Sequence, residues 1–231
     1  LRLDRSLAEL FSFVDAKVGL SNTLIVLYSD HGGPEVPAHL RQLGFEADYV
    51  DPSSWDRQPA VARLKEKFGV CDELIEKFFA PYLYLNRDAI REQGLDQAKV
   101  EDAVVAALQK LPAVAVAVGS SALQKGRVPD NDVYRSVQRN HYPRRSGDIF
   151  VVFRPGWFIN DFDGLTVAAT HGSPWRYDTY VPLVFAGPGI KPQRVARRVY
   201  TVDLAATLAS YMGTKPPSGL DGVPLPEVLG E

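Results

Sequence analysis

Between Thr23 and Tyr28 the polypeptide runs through Thr23-Leu24-Ile25-Val26-Leu27-Tyr28 and then stops abruptly at Ser29-Asp30-His31-Gly32-Gly33. An unbroken apolar run of this kind reads as a buried strand of a parallel sheet, covered on both faces. Upstream, Leu7, Leu10, Phe11, Val14 and Val18 recur at helical spacing over residues 4–18, and Gly19-Leu20-Ser21-Asn22 breaks the pattern. Helix, short turn, apolar strand and polar cluster make half of a doubly wound unit. Ligands of such sheets sit beyond the carboxyl ends of the strands, which places Asp30 and His31 where chemistry is expected.

The same style returns near the end of the sequence. Val181-Pro182-Leu183-Val184-Phe185-Ala186 is an apolar strand halted by Gly187-Pro188-Gly189. A helix follows over 202–212, with Thr201 as its N-cap and Asp203 favourable to the helix dipole. The tail Gly219-Leu220-Asp221-Gly222-Val223-Pro224-Leu225 is turn-rich. Between these two stretches the pattern changes. Leu83-Tyr84-Leu85, Val114–Val118 and Ile149–Phe153 read as strands, the last terminated by Arg154-Pro155-Gly156-Trp157, and residues 96–111 and 131–138 read as helices. Alternation of this kind suggests a small α+β subdomain inserted into the main fold. The expected organisation is therefore 1–33 and 165–231 as the two parts of one core, with 34–164 inserted between them.

Composition narrows the chemistry. With 231 residues there is room for one large domain or two modest ones, and a formal net charge of -2 supplies no basic field to attract nucleic acid. No apolar run is long enough to span a membrane. A single cysteine, Cys71, excludes an intrachain disulfide and a cysteine-based zinc site, so any metal falls to histidine and carboxylate. Two of the four histidines, His31 and His171, have matching surroundings, each a His-Gly step in a polar loop beside an apolar strand. Zinc takes neutral imidazole and carboxylate, and Asp30 with His31 offers one of each. On the residues alone these loops fit metal binding and fit a structural or solvated role.

The flanking motifs go further. Ser29-Asp30-His31-Gly32 resembles the Ser-Asp-His-Gly motif of the alkaline phosphatase superfamily. Thr170-His171-Gly172-Ser173, followed by Tyr177-Asp178, Val181-Pro182-Leu183 and Gly187-Pro188-Gly189-Ile190, resembles its later histidine motif. Asp203-Leu204-Ala205-Ala206-Thr207 is similar to that superfamily's Asp-(Ile/Leu)-Ala-Pro-Thr segment, with Ala206 in place of proline. In the middle, Tyr82–Asn86, Ser146-Gly147-Asp148-Ile149 and Phe153–Trp157 are similar to the monomeric alkaline phosphatases related to the nucleotide pyrophosphatase/phosphodiesterase family.

The resemblance implies an α/β fold: the C-terminal part of an alkaline-phosphatase-like parallel-sheet core carrying the inserted α+β subdomain. It implies a periplasmic or secreted phosphatase that uses two zinc ions to hydrolyse phosphate monoesters through a phospho-enzyme intermediate. By the same resemblance Asp30 and His31 match ligands of the zinc that holds the nucleophile, and His171 matches a ligand of the zinc that activates water. Asp178 is a candidate either to orient His171 by accepting its hydrogen bond or to stabilise the loop through a hydrogen bond of its own.

The family's nucleophile, its phosphate-binding Lys-x-Arg pair and its remaining ligands lie upstream of Ser-Asp-His-Gly, and nothing before Asp30 matches them. The sequence opens on Leu1 and reads as a truncated or processed product, with a missing N-terminal part as partner beside the phosphate ester. Such a product is expected to be inactive alone. Two other readings keep the fold: a non-catalytic metal- or partner-binding fragment, or a phosphodiesterase or sulfatase of the same superfamily. Four further expectations concern single residues. The basic loop around His141 reads as structural or as a phosphate contact, and His39 as a surface helix residue. Trp157 reads as packing, and Cys71 as a helix residue among apolar neighbours.

Overall fold

The structure is a computed structural model that describes residues 2–162 and 164–230. It divides into two compact units, one formed by 1–30 with 181–231 and the other by 31–180. This geometric division follows contacts, and its edges fall at Asp30 and Tyr180 rather than at 33 and 164.

The unit spanning 31–180 is built on a four-stranded antiparallel sheet. In sequence order the strands are β1 (Ile25–Tyr28), β2 (Asp48–Val50), β3 (Ile75–Phe79), β4 (Tyr82–Leu85), β5 (Val114–Gly119), β6 (Ile149–Phe153), β7 (Trp157–Ile159), β8 (Asp161–Phe162), β9 (Leu165–Thr166) and β10 (Leu183–Ala186). The sheet order is β3-β4-β6-β5. Its central strand β6 is apolar throughout because both of its faces are covered. Ile149 and Val151 enter one buried cluster with Leu74, Leu83 and Val104, whereas Phe150 and Val152 enter another with Val118, Leu123 and Val137. That is the period of two expected of a strand, hidden in the sequence because both faces are apolar.

Strand β5 alternates poorly for a different reason. Its register against β6 shifts between Val114 and Val116. Val114 and Ala117, an odd number of residues apart, consequently join the same cluster. An irregularity of this kind re-aims side chains without ending the strand.

The helix Gln97–Leu108 covers the first cluster. Asp96 caps it by accepting from the backbone N–H of Lys99 at 2.9 Å, and Val100, Val104 and Leu108 bury one stripe at i, i+4, i+8. Burying each of these residues contributes about 1.5–3 kcal/mol. The helix Asp132–Asn140 is capped in the same way by Asn131, which accepts from Tyr134 N–H. Helix Pro59–Phe68 ends at Gly69, whose φ of 69° is the left-handed conformation that suits glycine. Cys71 therefore lies beyond the helix in an exposed connection, which corrects the expectation of a helical, apolar setting. Short parallel pairing joins β2 to β7, and β8 and β9 form a hairpin.

In the unit formed by the two termini, β1 and β10 pair with each other, with Tyr28 opposite Leu183. The pairing is antiparallel, and Leu27 and Tyr28 stand 49% and 51% exposed. This corrects the expectation of a buried parallel strand. The apolar run forms the strand, but the described residues supply one neighbour and leave one end of it open.

The helix Asp203–Tyr211 also departs from expectation. Its cap position is Val202, which offers no capping hydrogen bond from its side group, and Thr201 does not fill that role. The carboxylate of Asp203 turns back instead, accepting from Tyr200 N–H at 2.9 Å and Val223 N–H at 3.0 Å. Thr207 hydroxyl accepts from Leu225 N–H and donates to Asp203 C=O, so the turn-rich tail is stitched to this helix through buried polar groups. The architecture as a whole is mixed α/β, with parallel and antiparallel pairing. Among the described residues no helix is long and apolar enough to cross a membrane.

Candidate active site

Two loops meet at the candidate site within the 31–180 unit. One follows β1 and carries His31. The other leads into the short helix Arg176–Thr179 and carries His171. Their imidazoles stack face to face, with ring centroids 3.5 Å apart and planes within 7°. Residues far apart in sequence are thus brought into ring contact. The half-buried His31 has its Nδ1 2.6 Å from Gly32 C=O. A carbonyl can only accept, so Nδ1 carries the hydrogen, and in the neutral ring the lone pair lies on Nε2.

Asp178 pins both loops. Its backbone C=O accepts from Gly32 N–H at 2.7 Å, next to His31. Its carboxylate Oδ2 accepts from Ser173 N–H at 2.7 Å and from Ser173 Oγ at 2.6 Å, two residues after His171. The residue is buried, and no hydrogen-bond donor among the described residues reaches its Oδ1. Gly32 is required by this closeness: a Cβ there would stand 1.9 Å from the carbonyl oxygen of Tyr177. Burial raises the Tyr177 phenol above its ordinary pKa, the Asp178 charge adds to this, and a Ser173 hydrogen bond opposes it. Trp175 fixes the far end of the His171 loop by donating Nε1–H to Phe153 C=O at 2.9 Å.

Asp30 directly precedes His31 and is exposed, at the edge of the other compact unit. The structure thus brings His31 and His171 together, with Asp178 behind them. The donor types suit zinc, but among the described residues no group of three or more His, Cys, Asp or Glu is placed to hold a metal. The donor chemistry fits, and the described residues do not by themselves complete a shell.

The remaining histidines lie elsewhere. His39 is exposed on the helix Pro37–Gln42. His141 caps the end of Asp132–Asn140, its Nε2 lying 2.8 Å from Ser120 Oγ. Burial lowers its pKa. The Ser120 contact ties the start of the basic loop to the helix Ser120–Gln124, and the adjacent Ser121 N–H donates to buried Glu101.

Beyond Asp178, sequence reading gave no role to the buried acids Asp148 and Glu101 of this unit. Asp148 accepts from Leu85 N–H, Arg87 Nε and Gln97 Nε2. Glu101 accepts from Ser121 N–H and Gln97 Nε2. The one signal was the Gly147-Asp148 step, where a Cβ on Gly147 would meet Tyr82 Cβ at 2.7 Å.

Residues 1–174 match the family described as Type I phosphodiesterase / nucleotide pyrophosphatase. The sequence is 31% identical over 235 residues to alkaline phosphatase PafA of Elizabethkingia meningoseptica, a match that covers 41% of that protein and 100% of this one. It is 30% identical over 229 residues to a protein named calcium-transporting ATPase in Myroides odoratus, covering 41% of that protein and 99% of this one. The crystal structure of wild-type PafA superposes with a TM-score of 0.82 at 30% identity, over 42% of its own length and 100% of the length described by this sequence. The protein therefore spans about two-fifths of the length of the relatives it matches.

Proposed function

The protein belongs to the Type I phosphodiesterase / nucleotide pyrophosphatase family, and on that premise we propose that it is the C-terminal portion of a zinc-dependent hydrolase of phosphate monoesters. The observation that carries this reading is the contact between His31 and His171, two loops joined ring to ring in a unit that also buries Asp178 beside both. In this reading Asp30 and His31 hold one zinc and His171 holds the other. Two bound metals stabilise the entering and leaving oxygens of an in-line displacement.

The residues present here act as positioners. Gly32 N–H on Asp178 C=O fixes the backbone beside His31. Ser173 on the Asp178 carboxylate fixes the loop after His171. The nucleophile and the other ligands belong to a preceding part of the same fold, with 34–164 as an insertion in the core. On its own the 231-residue polypeptide then binds zinc weakly and turns over slowly or not at all. The resemblance to alkaline phosphatases supports a periplasmic or secreted site of action.

Calorimetric titration with zinc tests the reading. Asp30→Ala, His31→Ala and His171→Ala should each weaken zinc binding at least about tenfold. Zinc affinity unchanged from that of the parent sequence in all three variants would make the motifs relics. Brisk hydrolysis of p-nitrophenyl phosphate by the isolated polypeptide would overturn the claim that its site is incomplete.

A further inference from the structure

A continuous path of hydrogen bonds runs from the loop of His171 to the imidazole of His31. It begins at Ser173, whose N–H and Oγ–H both donate to Asp178 Oδ2, at 2.7 and 2.6 Å. It crosses residue 178 from carboxylate to carbonyl, where Asp178 C=O accepts from Gly32 N–H at 2.7 Å. It then crosses Gly32 from amide to carbonyl, where Gly32 C=O accepts from His31 Nδ1–H at 2.6 Å.

Each joint of this path is held. Asp178 is buried, and hydrogen bonds to an ionised carboxylate are about twice as strong as neutral ones. Asp178 N–H donates to Trp175 C=O at 3.0 Å and Trp175 N–H to Ser173 Oγ at 3.3 Å, so the segment from Ser173 to Asp178 closes on itself. The Trp175 indole anchors that segment to β6 through Phe153 C=O. At Gly32 the absence of a Cβ lets the two loops approach, since a Cβ there would stand 1.9 Å from Tyr177 C=O.

Which nitrogen of a neutral imidazole binds metal is set by the hydrogen bond that the other nitrogen makes. We infer that Asp178 and Ser173 are positioning residues for His31: through Gly32 they hold its neutral ring as the Nδ1–H tautomer and so select Nε2 as its metal-binding atom. The sequence pattern set Asp178 beside His171, yet the hydrogen bonds lead from it to His31. Control is exerted from the loop that carries the other histidine, so a displacement of one loop changes the donor atom offered by the other. Selection of a metal-binding atom rests on the zinc reading above; control of the tautomer does not.

Long-range 1H–15N spectra of the labelled 231-residue polypeptide, in alkaline buffer without metal, report which ring nitrogen carries the hydrogen. The four histidines are assigned with single His→Gln variants. His31 should show a protonated Nδ1. Asp178→Ala should lower its ratio of Nδ1–H to Nε2–H at least about threefold. Asp178→Asn, whose amide oxygen still accepts from Ser173, should keep the ratio within about twofold of the parent. His141, bonded to Ser120, should not respond in either variant, which separates the effect from general loosening. If Asp178→Ala does not fold, Ser173→Ala decides, with an expected fall of at least about twofold. Added zinc should then move the His31 Nε2 signal and leave Nδ1 protonated, and Asp178→Ala should weaken zinc binding at least about tenfold. A parent His31 protonated on Nε2, an unchanged ratio in the folded variants, or zinc on Nδ1 overturns the inference. Absence of zinc binding overturns the zinc reading and leaves control of the tautomer standing.

Discussion

The two compact units use the same local materials and finish them differently. In the 31–180 unit, the stripe of Val100, Val104 and Leu108 on one helix is fully buried, and both faces of β6 are covered. In the unit formed by the termini, the helix Arg2–Lys17 has an apolar stripe of similar spacing, yet none of its described residues is buried. Leu10 on that stripe is 52% exposed, and Val184 on β10 is 49% exposed. What that unit does bury lies around Asp203–Tyr211 and its tail. An amphipathic pattern therefore states only that a face is available for burial. Whether it is covered depends on neighbours that the pattern does not name.

The largest effect that would break this comparison is a difference in truncation cost. Leu83→Ala, at 0% exposure, should lose about 2–5 kcal/mol in urea unfolding, from lost transfer energy plus the cavity left behind. Leu10→Ala, at 52% exposure on the terminal helix stripe, should stay within about 0.5 kcal/mol. A comparable loss at Leu10 would mean that the helix face is covered in solution.

A smaller effect sharpens the comparison through pH. Glu101 has its pKa raised above 4.5, chiefly by burial, with the Ser121 and Gln97 hydrogen bonds opposing. Just above pH 4.5 the folded state therefore keeps a proton that the unfolded state has released. Stability falls as pH rises through that window. Glu101→Gln should flatten that part of the unfolding midpoint against pH, and an unaltered slope would refute the assignment.

The smallest effect belongs to the other unit. Glu227 is half-buried at the surface and held at about 2, foremost by its hydrogen bonds to Arg197. Its depressed pKa gives a stabilising contribution that is present above 4.5 and lost as pH falls through about 2. Arg197→Ala should remove this acid limb. At neutral pH its effect on the unfolding midpoint should be slight, because solvent screens pairs at the surface.

Local chemistry accounts for the elements that the sequence made legible. The helices at 97–108 and 132–140 were visible because Asp96 and Asn131 are strong caps followed by apolar stripes. The β6 strand was visible through its β-branched and aromatic run. The stretch before β4 was mostly missed. Its helix Pro59–Phe68 and strand β3 are short and charged outside, as in Ile75-Glu76-Lys77, and gain their definition from contact with Trp55 and Phe78. Buried Asp56, which accepts from Leu74 and Ile75 N–H, has no sequence signature at all.

For the candidate site, the sequence singled out the residues that the structure then brought together. His31 and His171 each stand in a His-Gly loop beside an apolar run, and Asp178 follows the second. Hydrogen-bond closure between distant segments then decided the rest: the two imidazoles in contact, and Asp178 bonded to both loops. The direction of β1 and the true cap of the last long helix were likewise tertiary outcomes, since strand partners and the carboxylate of Asp203 are chosen by what lies opposite in space. A residue's neighbours in sequence fix its local conformation. Its chemical partners are fixed by packing between distant segments, where desolvation makes every buried polar group find a match or carry the cost.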